Sequence, residues 1–141
     1  MENRITVVLA DANEEFRTAL QQTLENAEGF DVVGSAADGL AAAQLVQEKR
    51  PQLLVMDLLL PGLDGFGVLE VMKQRNWPQE IPVIITSSED DESFIQKAYE
   101  LGVTDHIRRP FNLTVTQRRV SNALTLYARQ KHLVHLAEEQ V

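Results

Sequence analysis

Short apolar runs recur along this chain at regular intervals, and helical patterns fill the gaps between them. Five such runs stand at residues 5–10, 30–36, 53–57, 82–87 and, more weakly, 104–108. Continuous apolar runs of this length are typical of strands that are buried on both faces, as in a parallel sheet. Strand–helix alternation at this spacing predicts right-handed crossovers and an α/β, doubly wound sheet.

The segments between the runs carry apolar residues at helical spacing. Asp38 and Asp64 are predicted to cap the second and third helices. A last helical run begins near Leu113. In the first helix Phe16, Leu20 and Leu24 recur at i, i+4 and i+8, and in the fourth Phe94, Ala98 and Leu101 are predicted to share one face.

The composition is that of a soluble protein with a proper core. The chain has 141 residues, of which 44% are hydrophobic and 24% charged, and it has no cysteine. A formal net charge of −8 disfavours binding to a phosphate backbone, so we expect no direct contact with nucleic acid. No apolar stretch approaches the roughly 20 residues of a membrane span, and no secretory signal is apparent. We therefore expect a cytoplasmic protein with no membrane partner.

Polar side chains follow the predicted strands at the points where they end. Asp11 follows the first strand, Asp57 ends the third, Thr86 and Ser87 end the fourth, and Arg109 follows the fifth. In doubly wound sheets the carboxyl ends of the strands form one edge, where ligands bind. A charge buried in a core is expensive unless it is paired or functional. We therefore expect Asp57 to lie at the rim of the core and to face a polar pocket.

This set of side chains fits phosphoryl chemistry. A carboxylate can attack phosphorus and form an acyl phosphate. The transfer then requires positioning and charge compensation more than further reacting groups. A hard divalent cation on carboxylates would offset the phosphoryl charge, and a hydroxyl and a guanidinium would bind the remaining oxygens.

Four stretches carry a resemblance to a known family: VVLADAN, VMDLLLPGLDG, PVIITSS and ELGVTDHIRRPF. Over nearly its whole length the sequence resembles the receiver domain of two-component response regulators. The resemblance implies a flavodoxin-like fold, with five parallel strands in the order 2-1-3-4-5 and five helices, the last one extended. It also implies a cytoplasmic phosphorelay partner, either a histidine kinase or a phosphotransfer protein.

The resemblance also implies a role for each matching residue. Asp57 takes the position of the phosphoacceptor, and Ser87 that of the hydroxyl that follows the phosphoryl group. Arg109 falls where most members have lysine, and His106 falls at the aromatic switch position. The implied Mg²⁺ ligands are Asp11, Asp57 and the backbone carbonyl of Leu59.

Two positions depart from the family pattern. Receivers usually carry two adjacent acidic residues after the first strand, whereas here Asp11 is followed by Ala12. Because Mg²⁺ affinity depends on the charge of its ligands, we expect Ala12 to weaken binding of the ion. Glu14 and Glu15 are predicted to be exposed first-turn residues rather than replacements. Arg109 keeps the charge of lysine but presents a planar fork, so we expect altered phosphoryl geometry.

The segment from residue 113 to 141 is longer than a receiver needs. No Pro or Gly interrupts it, and a continuous helix would span about 40 Å. We interpret residues 1–125 as the receiver domain and 126–141 as a helical extension toward an output domain. The end of the chain resembles the linkers that join receivers to cyclic-dinucleotide or other signalling domains, so we expect an output domain of that kind. We expect a homodimer through this helix or through the fourth helix–fifth strand–fifth helix face.

Three functional hypotheses follow. The first is a receiver that is phosphorylated on Asp57 and switches dimerisation or output. The second, motivated by Ala12, is a degenerate receiver that acts as a phosphorylation-independent interaction module. The third is an enzyme, which we do not expect: DANEEF is acidic where a flavin phosphate loop would be rich in Ser, Thr and Gly. A haloacid-type phosphatase would need a second aspartate two residues after Asp57, and that position holds Leu59.

Overall fold

Strands and helices alternate throughout the part of the chain that the structure describes. This computed structural model describes residues 4–26, 29–75, 81–87 and 92–108, together with Arg118 and Asn122. The predicted last helix, apart from those two residues, and the predicted extension at 126–141 lie outside the described residues. The elements are β1 Ile5–Ala10, α1 Glu14–Asn26, β2 Phe30–Ala36, α2 Gly39–Lys49, β3 Leu53–Asp57, α3 Gly65–Gln74, β4 Val83–Ser87, α4 Glu92–Glu100 and β5 Asp105–Arg108.

The five strands form one parallel sheet in the order β2-β1-β3-β4-β5. This arrangement confirms the predicted α/β fold and the strand order that the family resemblance implies. From β1 the chain continues to β2 on one side of the sheet, and from β3 it continues to β4 and β5 on the other. The loops that follow the neighbouring strands β1 and β3 therefore leave toward opposite faces and start side by side. Ligands bind at such a switch point in open α/β sheets.

Helices cover both faces of the sheet. Because side chains alternate along a strand, neighbouring residues enter different layers of the core. On one face α1 packs against alternate strand residues; this layer contains Val7, Leu9, Phe16, Leu20, Leu24, Leu53, Val55, Ile84 and Ile107. On the other face α2, α3 and α4 pack against the intervening residues; this layer contains Val8, Ala10, Ala42, Val46, Leu54, Met56, Val68, Leu69, Met72, Val83, Ile85 and Ala98.

The predicted helix caps are confirmed. The Asp38 carboxylate accepts a hydrogen bond from the Ala41 N–H at 2.8 Å, at the start of α2. The Asp64 carboxylate accepts one from the Gly67 N–H, also at 2.8 Å, at the start of α3. Each cap satisfies an N–H group that has no partner within its own helix.

The face that Phe94, Ala98 and Leu101 are predicted to share is buried only in part. Ala98 is buried as expected and Leu101 is partly buried, but the Phe94 side chain is 41% exposed. Its ring instead stacks on Phe66 of α3, with the ring centroids 5.9 Å apart. Lys97, one turn further along α4, places its Nζ 4.7 Å from the centroid of the Phe66 ring. The apolar periodicity was real, but the neighbour is another helix rather than the sheet.

Among the described segments, none of the helices combines the length and the apolar character needed to cross a membrane.

Candidate functional site

Asp11 lies at the carboxyl end of β1 and is 4% exposed. Its backbone N–H donates to the Ala36 carbonyl of β2 at 3.0 Å, so the residue is still held by the sheet. Its Oδ1 accepts the Asn13 N–H at 2.8 Å, which closes a tight turn over Ala12. The Asn13 Oδ1 in turn accepts the Phe16 N–H at 2.9 Å and caps α1.

Arg17 also holds this turn in place. Its Nη1 donates to the Asp11 carbonyl oxygen at 2.7 Å, a charge-assisted bond that ties the first turn of α1 back to the end of β1. Ala12 is exposed, and so are Glu14 and Glu15, as predicted. The position at which the family resemblance expects a second acid therefore carries a methyl group that faces solvent.

Asp57 is the last residue of β3 and is 8% exposed, so it is more buried than a residue on an open rim. Its Oδ1 accepts the N–H of Leu59, two residues later, at 3.2 Å. The Leu59 side chain is 55% exposed, whereas Leu58 and Leu60 on either side of it are buried. The Leu59 side chain therefore faces solvent while its backbone N–H contacts the Asp57 carboxylate.

The sheet brings Asp11 and Asp57 together. Ala10 and Met56 are register partners in the β1–β3 ladder, so the two residues that follow them occupy adjacent positions. Neighbouring strands lie about 4.8 Å apart. In the described parts of the chain, no three acidic or histidine side chains form a cluster that could hold a metal ion. This end of the sheet thus offers two carboxylates on neighbouring strands.

The end of β4 completes the pocket on the other side of Asp57. Thr86 is the register partner of Asp57, and its carbonyl oxygen accepts the Leu58 N–H at 3.2 Å. Thr86 also lines a small cavity with Asp11, Phe16 and Arg17. Ser87 comes one residue later, pairs with Arg108 in the β4–β5 ladder, and is 0% exposed.

Of the remaining predicted site residues, His106 is half-buried on β5, in register with Ile85 of β4. Arg109 lies outside the described residues. The pKa of Tyr99 on α4 is raised, first by partial burial, since the residue is 47% exposed, and then by the negative charge of Asp105. A hydrogen bond with the His106 backbone lowers it in part.

Two residues of this site received no role from the sequence. Arg17 was not among the predicted residues, because its bond to a backbone carbonyl leaves no sequence motif. Thr86 was recognised at the end of β4 but received no role, because an apolar run does not reveal which of its last two residues faces Asp57. Strand register is what separates Thr86 from Ser87, and register requires the neighbouring strand.

The fold and this group of side chains define a domain built to bring carboxylates to the switch point of a doubly wound sheet. The family model of the response regulator receiver domain matches residues 7–121. The chain therefore belongs to the response regulator receiver domain family.

A curated relative and one solved structure agree with this assignment, and a second solved structure agrees in fold. The chain is 36% identical over 106 residues to protein-glutamate methylesterase/protein-glutamine glutaminase 5 of Myxococcus xanthus; the match covers 75% of this chain but only 30% of that protein. The response regulator domain of Thermotoga maritima CheB is 28% identical, with a TM-score of 0.77 over 90% of this chain and 95% of that one. The signal receiver domain of a putative LuxO repressor protein from Vibrio parahaemolyticus has a TM-score of 0.80 at 24% identity, with coverage of 96% and 98%, and supports the fold alone.

Proposed function

We propose that this domain accepts a phosphoryl group on Asp57 from a phosphohistidine of a histidine kinase or phosphotransfer protein. The observation that carries the proposal is the placement of Asp57: a buried carboxylate at the carboxyl end of β3, in register with Asp11 on one side and Thr86 on the other. A buried pair of acids at a sheet switch point is costly to stability, and a functional role explains its presence.

The proposed reaction is a simple displacement at phosphorus. A carboxylate oxygen of Asp57 attacks the phosphorus atom and forms an O–P bond, while the N–P bond to the donor histidine breaks and its electron pair stays on the imidazole nitrogen. The product is an acyl phosphate on Asp57. The backbone N–H of Leu59, which now donates to Oδ1 of Asp57, holds this carboxylate in a fixed orientation for the attack.

The donor set fits Mg²⁺. Asp11, Asp57 and the carbonyl of Leu59 supply hard oxygen ligands, and Mg²⁺ in proteins commonly takes one or two carboxylates and keeps several waters. When bound, the ion would neutralise charge on the phosphoryl oxygens. With Ala12 in place of a second acid, we propose that binding is weaker than in receivers with the acidic pair.

We propose that the phosphoryl group acts on the rest of the domain through Ser87, Arg109 and His106. Ser87 supplies a hydroxyl to a phosphoryl oxygen and Arg109 a cation. His106 lies on the same ladder as Ser87, two residues before Arg108 along β5. A shift at the end of β4 would therefore be transmitted to the α4–β5 face.

The proposed output is a change in the pairing of this domain or in the activity of an effector domain joined to it. The relative from Myxococcus xanthus is more than three times as long as the stretch it shares with this chain. We propose a homodimer through the α4–β5 face or the C-terminal helix as the state that phosphorylation alters.

The exposed Ala12 favours a second candidate, a receiver that binds its partners without phosphorylation. One experiment separates the two. The protein is incubated with Mg²⁺ and a small acyl phosphate donor, and its intact mass is measured beside that of Asp57→Asn. The lead proposal expects one added phosphoryl group on the wild type, labile to hydroxylamine, and none on the variant. No added mass on the wild type at millimolar Mg²⁺ would leave the second candidate.

A further inference from the structure

The first residue of α2 lies directly against the loop that follows β3. Gly39 is buried, and its N–H donates to the Pro61 carbonyl at 3.5 Å. A Cβ atom added to Gly39 would lie 1.6 Å from the carbonyl oxygen of Leu63 and 2.5 Å from its carbonyl carbon. Non-bonded heavy atoms prefer separations of about 3.5–4.0 Å. Only a glycine therefore fits at the start of α2 while the loop holds this position.

A second glycine receives the side chain of the same leucine. A Cβ atom on Gly67 of α3 would lie 2.4 Å from Cδ1 of Leu63 and 2.9 Å from its Cγ. Leu63 is thus placed by its backbone against α2 and by its side chain against α3. The backbone contact is the stricter of the two, because a carbonyl group cannot rotate away as the end of a leucine side chain can.

The loop between Asp57 and Leu63 is also held at its two ends. At one end the Leu58 N–H donates to the Thr86 carbonyl at 3.2 Å. At the other end the Gly65 N–H donates to the Leu58 carbonyl at 2.9 Å. Between these bonds the loop approaches α2 at Pro61 and Leu63, both of which lie against Gly39.

We propose that Gly39 is a positioning residue for the Asp57 pocket. By allowing α2 to touch the backbone at Leu63, it sets where the Leu59 peptide lies relative to the Asp57 carboxylate. It thereby sets the affinity of the pocket for a divalent cation. The claim about loop position rests on the contacts alone, and the claim about affinity rests on the proposed function.

The test compares three glycine-to-alanine variants of the whole chain. Gly39→Ala places a methyl group against backbone, and Gly67→Ala places one against a side chain. The matched control is Gly34→Ala on β2, where the added Cβ would lie 3.1 Å from the flexible end of Leu45. Each variant is titrated with Mg²⁺ alone by calorimetry, and the amide resonances of Leu59 and Leu63 are recorded by NMR.

We expect Gly39→Ala to shift both amide resonances and to lower Mg²⁺ affinity by about tenfold or more, the usual effect of disturbing the support of a metal ligand. Gly67→Ala should have a smaller effect, and Gly34→Ala should stay within about twofold of the wild type. The proposal is overturned if Gly39→Ala leaves both the Mg²⁺ affinity and the Leu59 resonance unchanged. It is also overturned if Gly34→Ala loses as much Mg²⁺ affinity as Gly39→Ala.

Two further cases are covered by the design: a Gly39→Ala variant that does not fold, and a wild type that binds no Mg²⁺. If Gly39→Ala does not fold, the wild type decides: because coupling between two sites is reciprocal, Mg²⁺ binding should move the Gly39 amide resonance together with those of Leu59 and Leu63, and a Gly39 resonance that does not move overturns the proposal. If the wild type itself binds no Mg²⁺ and accepts no phosphoryl group, the proposed function fails. The Leu59 resonance in Gly39→Ala would still decide whether the glycine positions the loop.

Discussion

Asp57 and Thr86 face each other across the β3–β4 ladder, and Ser87 lies one residue further along β4. Ile84 belongs to the core layer against α1 and Ile85 to the opposite layer. By alternation, Thr86 shares the face of Asp57 and Ser87 starts on the other face. If Ser87 is the hydroxyl that follows the phosphoryl group, the end of β4 must change conformation for it to do so.

The first prediction separates the two hydroxyls. Ser87→Ala should still accept a phosphoryl group on Asp57 but should lose the phosphorylation-dependent shifts of the α4 and β5 amide resonances, because the attacking atom is untouched and the follower is gone. Thr86→Val should keep those shifts and lose about 1 kcal/mol of unfolding free energy, as expected for a buried hydroxyl. The reverse pattern, with the response lost in Thr86→Val, would assign the role to Thr86.

The second prediction concerns Ala12. A carboxylate at this exposed position adds one negative charge next to Asp11, and a negative charge close to a divalent cation strengthens its binding even when water screens the attraction. Ala12→Asp should therefore raise Mg²⁺ affinity about tenfold or more, measured by calorimetry, and should speed phosphorylation by a small donor. Ala12→Asn, which has the same shape without the charge, should give a much smaller gain. Equal effects of the two variants would rule out charge as the cause.

Much of this architecture was predictable from sequence because the signals are local. The apolar runs predicted the first and last residues of β1, β2 and β3 correctly, and the helix caps at Asp38 and Asp64 were predicted from single side chains. The contacts that remained hidden join distant segments. The start of α2 against Leu63 and the register between β3 and β4 depend on how elements pack, which no short pattern records.

Phe94 is a second example of a contact that the sequence pattern does not reveal. Its spacing with Ala98 correctly indicated one helical face, but spacing does not state which neighbour that face meets. A residue at the edge of the face contacts the adjacent helix instead of the sheet, and it remains partly exposed.

The third prediction follows from that contact. Ala98 is the single buried residue within α4, so we expect the stack of Phe94 on Phe66 and the approach of Lys97 to add to the stability of this helix. Such ring pairs contribute about 0.5–1.5 kcal/mol beyond their buried area. Phe94→Ala should increase amide hydrogen exchange in α4 by roughly three- to tenfold. Exchange in α2 provides the internal reference and should not change.

Phe94→Leu is the matched control for this measurement, since it keeps apolar volume and removes the ring. If the two variants exchange alike and faster than the wild type, the ring stack contributes to α4 stability. If neither differs from the wild type, α4 is held by contacts other than Phe66.

The fourth prediction concerns the cap of α2. Asp38→Ala removes the acceptor for the Ala41 N–H and should lower the free energy of unfolding by about 1 kcal/mol in urea denaturation. Because the same first turn carries Gly39, the variant should also move the Leu63 amide resonance. Asp64→Ala at α3 should cost a similar amount, and Asp31→Ala, at an exposed position on β2, should cost little. A stability unchanged in Asp38→Ala would contradict the role of the cap.

The last prediction uses the raised pKa of Tyr99. Burial is the larger cause and the charge of Asp105 the second, so Asp105→Asn should lower the pKa of Tyr99 toward its ordinary value without fully restoring it. The chain has two tyrosines, so the titration is followed by ultraviolet absorbance in a Tyr127→Phe background. In the unfolded chain Tyr99 loses its proton at about pH 10, before the folded protein does. Stability should therefore fall as pH rises from that point through the raised pKa, and this fall should be smaller in Asp105→Asn. A Tyr99 pKa that is unchanged or higher in Asp105→Asn would show that the two side chains are not coupled across the α4–β5 face.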